Sequence, residues 1–226
     1  WKRQMYIRDM NKIPRRLIFT YKSNLLETKD PPVFYENVQK TIQMYREAWG
    51  EPKAPVWFLN DTDCRSAIYA AKPELVTYFD RELRGSWKAD ICRVAALYLT
   101  GGYYFDADME AVDPWVPDSS VAFATASDKT RYFQSFLASE RKGRVIEEAL
   151  EEMLVFYKDR KPRVKALLGP DTLKWAVQTL QPSERGEMVI LEEVEVHSNQ
   201  SESPLRRDAL GCCCNFLVRE PAMNET

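Results

Sequence analysis

The sequence GGYYFDAD, residues 101–108, decides how this chain folds. Two glycines end a helical segment, three aromatic residues form a short buried strand, and Asp106 and Asp108 follow that strand directly. Two like charges one residue apart repel each other, and on a regular strand they share a face only while the strand continues. The two aspartates therefore form either a solvated surface turn or a place that holds something positively charged.

The position of Asp106 and Asp108 favours a bound cation. They stand at the carboxyl end of a strand, which is the edge where open α/β sheets bind their ligands. Past the strand both carboxylates can turn towards one point, and hard oxygen ligands suit Mg²⁺ or Mn²⁺. Because Asp-x-Asp also occurs by chance, a solvated turn is the alternative to this predicted metal site.

A second pair of charged residues lies upstream, on the helix that leads into this strand. The sequence predicts that Ser86 caps this helix and that it runs to about Thr100. Asp90 and Arg93 are three residues apart, so they share one face. An acidic acceptor beside a forked guanidinium donor could hold sugar hydroxyls, and a surface ion pair is the alternative. The turn at Gly101-Gly102 should bring this pair close to the two aspartates.

The rest of the chain alternates apolar runs with helical stretches, the pattern of an α/β domain with a mostly parallel sheet. Strands are predicted at residues 16–21, 56–59, 103–105, 121–126, 132–139, 189–191 and 194–196. Helices are predicted at residues 33–49, 64–83 with a break at Pro73, 86–100, 144–157 and 169–180. No repeat, low-complexity tract or linker divides the chain, so we expect a single domain over residues 1–226.

The composition is that of a globular protein with a substantial core, since 45% of the 226 residues are hydrophobic and 29% are charged. The formal net charge of −2 does not favour a polyanionic partner, so we expect no nucleic-acid binding. No apolar run is long enough to span a bilayer, so we expect no membrane span in this chain.

Cysteine and histidine give few options for a metal cage. The five cysteines are Cys64, Cys92 and the run Cys212–Cys214. An odd number leaves at least one thiol unpaired, and no C-x-x-C spacing indicates zinc. Buried or singly bridged cysteines are therefore favoured over a redox role. The single histidine, His197, makes a Cys/His cage or a His-based triad hard to build.

The segment Lys88–Arg93, followed by Leu97-Tyr98 and by residues 101–108, resembles the DXD-containing sugar-binding region of glycosyltransferase family 32. That family includes initiating and sphingolipid mannosyltransferases and α1,4-galactosyl- and N-acetylglucosaminyltransferases. Related clostridial toxins that glucosylate small GTPases have the same order of motifs. The resemblance covers about residues 13–180. Its weaker segments are Ile13–Arg15, Tyr21-Lys22, Trp57–Asp63, Phe136–Ser139 and Leu168–Asp171.

The resemblance implies a GT-A fold, with a Rossmann-like, mostly parallel central sheet flanked by helices. The donor-binding part would cover about residues 13–125 and the acceptor-side part about residues 126–226. It also implies a retaining, metal-dependent transfer of a hexose from a UDP- or GDP-sugar to a hydroxyl of a glycan, glycolipid or protein. Mn²⁺ or Mg²⁺ would neutralise the departing diphosphate. No pair of carboxylates identifies a nucleophile. We therefore favour attack by the acceptor hydroxyl on the same face of the sugar from which the diphosphate departs.

The resemblance further assigns site residues. Asp108 would contact the metal directly, Asp106 would bridge metal-bound water, ribose and sugar, and Asp90 and Arg93 would hold the donor sugar. His197 is a possible late metal or phosphate ligand, with a surface or satisfied histidine as the alternative. Further donor-binding residues would be Phe19, Thr20, Tyr21, Gly102, Tyr103, Ser139, Gly169 and Pro170.

The chain departs from the family pattern in its first strand and near its end. The resemblance implies that the base of the nucleotide sugar stacks on Tyr21 and that backbone groups of Phe19–Tyr21 contact the edge of that base. The family usually has a polar His-Gln pair where this chain has Ile18-Phe19, and Leu168 stands where a threonine is expected. The Ser-Trp that family members often place near the C-terminus lacks its tryptophan here. A degenerate, non-catalytic domain that binds a nucleotide sugar or a glycan therefore stays open.

A metal-dependent phosphohydrolase is a further alternative, with Asp128-Lys129 as the downstream pair, but it would leave Asp90 and Arg93 unexplained. For the compartment, sequons at residues 60, 199 and 224 lean towards the secretory pathway. We expect the Golgi lumen, as a truncated membrane-anchored enzyme, with the cytoplasm as the alternative.

Overall fold

The computed structural model describes residues 12–127, 130–160, 167–192 and 216–218. The strands are β1 (Leu17–Thr20), β2 (Val56–Leu59), β3 (Gly102–Phe105), β4 (Met109–Ala111), β5 (Val121–Ser127), β6 (Tyr132–Ser139), β7 (Glu187–Glu192) and β8 (Phe216–Val218). The helices are α1 (Leu25–Thr28), α2 (Pro32–Trp49), α3 (Asp61–Ala71), α4 (Val76–Arg81), α5 (Gly85–Thr100), α6 (Arg144–Val155), α7 (Leu168–Thr179) and α8 (Pro182–Arg185). A 3₁₀ turn covers Pro73–Leu75, and a π-helical turn covers Phe156–Arg160.

Six strands form the main sheet, in the order β2-β1-β3-β6-β5-β7. Every neighbouring pair is parallel except the two that involve β6, which runs antiparallel to both β3 and β5. The predicted mostly parallel α/β sheet is therefore confirmed. The reversed strand β6 has a consequence for function, because its first residues lie beside the carboxyl end of β3. Strands β4 and β8 form a separate antiparallel pair.

Helices cover both faces of the sheet, which explains why its central strands are apolar on both sides. One core packs Ile18, Tyr104 and Leu137 against helices α3 to α7. The other packs Phe19 and Phe105 against helix α2. Side chains on a strand alternate between faces, so Tyr104 and the residue two positions later, Asp106, are directed towards the face that carries α5.

The element boundaries differ from the prediction where tertiary contacts decide them. The prediction that Ser86 caps α5 is wrong. The helix begins at Gly85, and Arg84 is the cap residue without a capping side-chain hydrogen bond. The first turn is instead held by packing, with the Arg84 guanidinium 4.3 Å above the ring of Trp87 and that ring against Phe156. The short elements α1, α8, β4 and β8 were not predicted, and the predicted strand at residues 194–196 lies outside the described residues.

A disulfide joins Cys64 of α3 to Cys92 of α5. Both sulfurs are buried, in agreement with the expected buried or singly bridged cysteines. The remaining three cysteines lie outside the described residues. Among the helices that are described, none combines the length and the apolar character that crossing a bilayer requires.

Candidate functional site

The junction between α5 and β3 brings the site together, and it requires both glycines. Gly101 has φ of +62°, and a Cβ there would lie 2.7 Å from the backbone nitrogen of Arg141. Gly102 has φ of +119°, and a Cβ there would lie 2.8 Å from the carbonyl oxygen of Arg16. Both conformations are in the region that favours glycine. The chain therefore reverses within two residues, so that α5 lies back along β3.

Arg93 of α5 and Asp106 form an ion pair at the carboxyl end of β3. Arg93 Nη2 lies 3.2 Å from Asp106 Oδ1, and Nη1 donates to Oδ2 at 3.4 Å. The Arg93 side chain is only 4% exposed, whereas that of Asp106 is 25% exposed. The guanidinium is also held by the backbone of its own helix, because Nε donates to the carbonyl of Ala89 at 3.2 Å. The pair thus has a buried cation and a carboxylate that reaches the surface.

Asp90 lies on the other side of the same guanidinium. Its Oδ1 is 3.3 Å from Arg93 Nη2, and its Oδ2 accepts a hydrogen bond from the backbone of Gly169 at 3.0 Å. Burial raises the pKa of Asp90 to about 6, against the opposing effect of Arg93. Only glycine fits at residue 169, because a Cβ would lie 2.6 Å from the Asp90 carboxylate. The first turn of α7 is thereby docked onto α5.

Tyr104 connects this cluster to β1. Its hydroxyl donates to Asp106 Oδ1 at 2.5 Å, and Thr20 Oγ1 lies 2.8 Å from the same hydroxyl. Since the phenol has one proton, Thr20 is the donor in the second bond. Burial raises the pKa of Tyr104, so the phenol stays neutral. The guanidinium of Arg93 stacks on the ring with its central carbon 4.7 Å from the centroid. Sequence reasoning missed Tyr104, although its i, i+2 relation to Asp106 is a usable signal.

Gln134 of β6 forms the remaining described wall. Its carbonyl oxygen accepts from Arg93 Nη1 at 2.5 Å. Its side chain is buried beside Gly169, where a Cβ would meet Gln134 Cγ at 2.8 Å. Neither the nitrogen nor the oxygen of its side-chain amide has a hydrogen-bond partner in the described structure. Sequence reasoning missed this residue because its position depends on the antiparallel pairing of β6. The one usable signal is that glutamine is unusual in an apolar strand.

Asp108 sits on a turn, not on a strand. The backbone nitrogen of Met109 donates to the carbonyl of Asp106 at 3.1 Å, and buried Asn37 donates to the carbonyl of Ala107 at 3.3 Å. The negative charges raise the pKa of Arg93 despite its burial, with Asp106 the strongest of them and Asp108 among them. The cluster carries three carboxylates and one guanidinium, so its net charge favours a cation.

The donor set fits a hard divalent ion only in part. Among the described residues, no group of three or more His, Cys, Asp or Glu side chains is arranged to hold a metal. His197 lies outside those residues. The Tyr104 hydroxyl and Arg93 Nη2 already approach Asp106 Oδ1, and Arg93 Nη1 approaches Oδ2. One acceptor position therefore remains on Asp106 Oδ2. Asp106 and Asp108 could therefore hold Mn²⁺ or Mg²⁺ if water and a substrate supply the other oxygens.

Some of the predicted site residues lie elsewhere. Gly102 pairs with Ser139 at the amino end of β3, at the opposite edge of the sheet from Asp106. Tyr103 packs on Trp49 at 5.1 Å between centroids, on the other face of the sheet. The Phe19 side chain is fully buried in the same core. The structure therefore does not bring Gly102 or Ser139, or the side chains of Tyr103 and Phe19, to the carboxylate cluster.

Three other predicted residues do lie at the site edge. Thr20 reaches the cluster through Tyr104, and Tyr21 follows at the carboxyl end of β1. The ring of Tyr21 contacts that of Phe34 edge-on, with 5.7 Å between centroids. Pro170 follows Gly169 in the first turn of α7.

The chain has an α/β fold with a mixed six-stranded sheet, helices on both faces and a charged cluster at the carboxyl edge of that sheet. Among solved structures, the fold is similar to that of the PaToxG glycosyltransferase, with a TM-score of 0.54 and 15% sequence identity, over 73% of this chain and 68% of that chain. No protein-family model matches the chain, and no curated protein sequence does. At this level of identity the similarity establishes the fold.

Proposed function

We propose that the chain is a metal-dependent retaining glycosyltransferase of the family-32 type. It would move a hexose from a UDP- or GDP-sugar to a hydroxyl group of a glycan, glycolipid or protein. The observation that carries the proposal is the buried Arg93 guanidinium, which pairs with Asp90 at 3.3 Å and with Asp106 at 3.2 Å at the carboxyl edge of the sheet. The similarity in fold to a glycosyltransferase supports the same class.

The donor sugar would lie beside Asp90, Arg93 and Gln134. A carboxylate accepts hydrogen bonds from sugar hydroxyls, and a guanidinium donates to them. The Gln134 amide offers two donor positions and an acceptor that no described residue uses. A buried amide without partners costs free energy, which a bound hydroxyl would recover. This set of groups would orient the sugar relative to Asp106.

The nucleotide would extend from the sugar towards β1. Tyr21 would stack on the base, with the backbone of Phe19–Tyr21 at its edge. Asp108 would hold Mn²⁺ or Mg²⁺ directly and Asp106 would do so through water, with His197 as a proposed further ligand. When bound, such an ion offsets the negative charge that develops on the departing diphosphate.

The residues of the chain would contribute orientation and charge, not proton transfer. Tyr104 keeps its proton because burial raises its pKa, so it positions Asp106 and cannot act as a base at neutral pH. Asp90 is mostly ionised at neutral pH, since its raised pKa is about 6. We therefore favour attack of the acceptor from the face of departure, with the leaving phosphate accepting the acceptor's proton.

A panel of UDP- and GDP-sugars with Mn²⁺ tests this function, with release of nucleoside diphosphate as the readout. We expect one donor to be hydrolysed by the wild type and not by Asp108→Asn. The matched control is Asp118→Asn, which removes an exposed carboxylate from a loop outside the cluster. Donor binding without release would favour the non-catalytic binding domain, and release of phosphate from sugar phosphates would favour a phosphohydrolase.

We also propose that the enzyme works in the secretory pathway, in the Golgi lumen. The buried Cys64–Cys92 disulfide supports an oxidising compartment. The sequon at Asn60 is exposed, and the other two lie outside the described residues. Secretion of the chain from cultured cells with and without an Asn60→Gln change would test this, because a glycosylated chain loses mass on deglycosylation. A reduced, unglycosylated chain in cells would favour the cytoplasm.

A further inference from the structure

The loop between α4 and α5 projects from the same edge of the sheet as the carboxylate cluster. Helix α5 ends at the amino end of β3, so its first residues lie towards the carboxyl edge, where Arg93 meets Asp106. Leu83 in this loop is 97% exposed, more than any other large hydrophobic residue in the described parts of the chain. A leucine this exposed does not pack in the hydrophobic core of the protein.

The loop has a fixed conformation. Buried Glu82 accepts hydrogen bonds at Oε1 from the backbone nitrogens of Leu83 at 3.0 Å and Arg84 at 3.1 Å. Its Oε2 accepts from the hydroxyl of Tyr157 at 3.0 Å, and that ring stacks on Tyr78 with 4.9 Å between centroids. Glu82 thus links the backbone of Leu83 and Arg84 to Tyr157, and the Leu83 side chain projects into solvent from this hydrogen-bonded loop.

The charges around Leu83 are mainly positive. The local sequence is RELRGS, residues 81–86, and its one acid is the buried Glu82. Exposed Asp80 precedes this segment and is paired with Arg65 at 3.1 Å. Arg81 and Arg84 are exposed on either side of the leucine, and exposed Lys158 follows Tyr157, with Asp159 as the acid beside it. This local excess of positive charge contrasts with the net charge of −2 of the whole chain. An exposed apolar tip between cations is complementary to an anionic lipid surface.

We propose that this rim loop, residues 81–86, docks the protein on the anionic surface of a lipid bilayer. Leu83 inserts among the acyl chains close to the headgroups, and Arg81 and Arg84 contact lipid phosphates with their charged ends. A convex tip enters a fluid interface without a matching pocket, which a protein partner would have to provide. As far as the acceptor is concerned, the inference rests on the proposed function, since it directs the donor site towards acceptors held in or near a membrane. It does not rest on the Golgi-lumen proposal: anionic lipids are concentrated on the cytoplasmic leaflet, so docking on phosphatidylserine would favour the cytoplasmic alternative.

Vesicle sedimentation tests the docking separately from catalysis. We expect the wild type to bind vesicles of phosphatidylcholine with phosphatidylserine, and to bind pure phosphatidylcholine weakly. Leu83→Ser should weaken binding by about tenfold or more, because the buried leucine is lost. Arg81→Gln should weaken it by about fivefold, and raised salt should weaken it as well. Tyr69→Ser is the matched control, since Tyr69 is 67% exposed on α3, and it should bind like the wild type.

Three results would overturn the docking proposal. These are equal binding by wild type and Leu83→Ser, no binding to either vesicle, and capture on an acidic polypeptide resin without vesicle binding, which would indicate an acidic protein partner. Unfolding temperatures should be the same for all variants, which separates lost docking from misfolding. Hydrolysis of a soluble nucleotide sugar should be unchanged in Leu83→Ser. If the wild type hydrolyses no nucleotide sugar, the proposed function is contradicted, while the vesicle result still tests the docking.

Discussion

Arg93 and Asp106 are thirteen residues apart in the sequence and 3.2 Å apart in space, with Nη2 of the arginine facing Oδ1 of the aspartate. The helix that carries the first and the strand that leads to the second are joined by two glycines with positive φ. A buried guanidinium with a partly exposed carboxylate is a costly arrangement unless geometry and hydrogen bonds are good. Here the arginine also binds the carbonyls of Ala89 and Gln134.

An Arg93→Lys variant tests the fork of this guanidinium. Lysine keeps the charge but cannot span Asp90, Asp106 and the Gln134 carbonyl together. We expect kcat/KM for nucleoside diphosphate release to fall by about 100-fold, because small displacements of catalytic groups have effects of that size. Arg65→Lys is the control, since Arg65 forms an exposed pair with Asp80 and should change little. Wild-type kinetics in Arg93→Lys would argue against a role for the fork.

Gly169→Ala tests the close approach of α7 to Asp90. The added Cβ would lie 2.6 Å from the Asp90 carboxylate, so one of the two helices must move. We expect a loss of about 1–3 kcal/mol in the free energy of unfolding, measured with urea, and weaker donor binding. Gly85→Ala is the matched helical control, because a Cβ there meets nothing within 4 Å. Equal stability of the two variants would show that the structure accommodates a Cβ at residue 169 beside Asp90 without cost.

The stability of the protein should depend on pH through Asp90. Its folded pKa of about 6 lies above the ordinary value of 3.8, chiefly because of burial. The folded state therefore binds more protons than the unfolded state between about pH 4 and pH 6, and Asp90 makes stability fall as pH rises through that window.

The variant Asp90→Asn does not titrate at this position. Its free energy of unfolding relative to wild type should therefore rise by about 2–3 kcal/mol from pH 4 to pH 7 and stay level above. Urea unfolding at several pH values, without divalent ions, measures this difference. A difference that does not change with pH would mean that Asp90 titrates normally.

Tyr104→Phe removes the hydroxyl that joins Thr20 to Asp106 and leaves the ring beneath Arg93. We expect a stability loss of about 1 kcal/mol and a larger relative loss of transfer activity, because Asp106 is no longer held on that side. The control is Tyr103→Phe, on the opposite face of the same strand. Comparable activity losses in both variants would assign the effect to the strand and not to the carboxylate.

Local patterns in the sequence were enough to predict much of the fold. The strand Val56–Leu59 was predicted at its observed bounds, and α2 ends at Trp49 as predicted. The shared face of Asp90 and Arg93 follows from helical spacing alone, and their approach to Asp106 follows from the turn at the two glycines. These relations span fewer than about twenty residues, so periodicity and turn chemistry determine them.

The parts that were missed depend on distant pairing. Gln134 reaches the site because β6 runs antiparallel beside β3, and Thr20 reaches Tyr104 across 84 residues. Ser139 has a small side chain after an apolar run, as the family pattern suggested, yet the reversed direction of β6 puts it at the opposite edge of the sheet. Strand direction is set by the whole sheet, which no local pattern encodes.

The most direct test of the central claim is calorimetry of UDP and GDP binding with and without Mn²⁺, on wild type and Asp108→Asn. If a divalent ion is shared between these carboxylates and a diphosphate, one nucleotide should bind the wild type at least about tenfold more tightly with Mn²⁺ than without it. The variant should lose that gain and keep the wild-type unfolding temperature. Nucleotide binding that is the same with and without Mn²⁺, or the same in both proteins, would contradict the account.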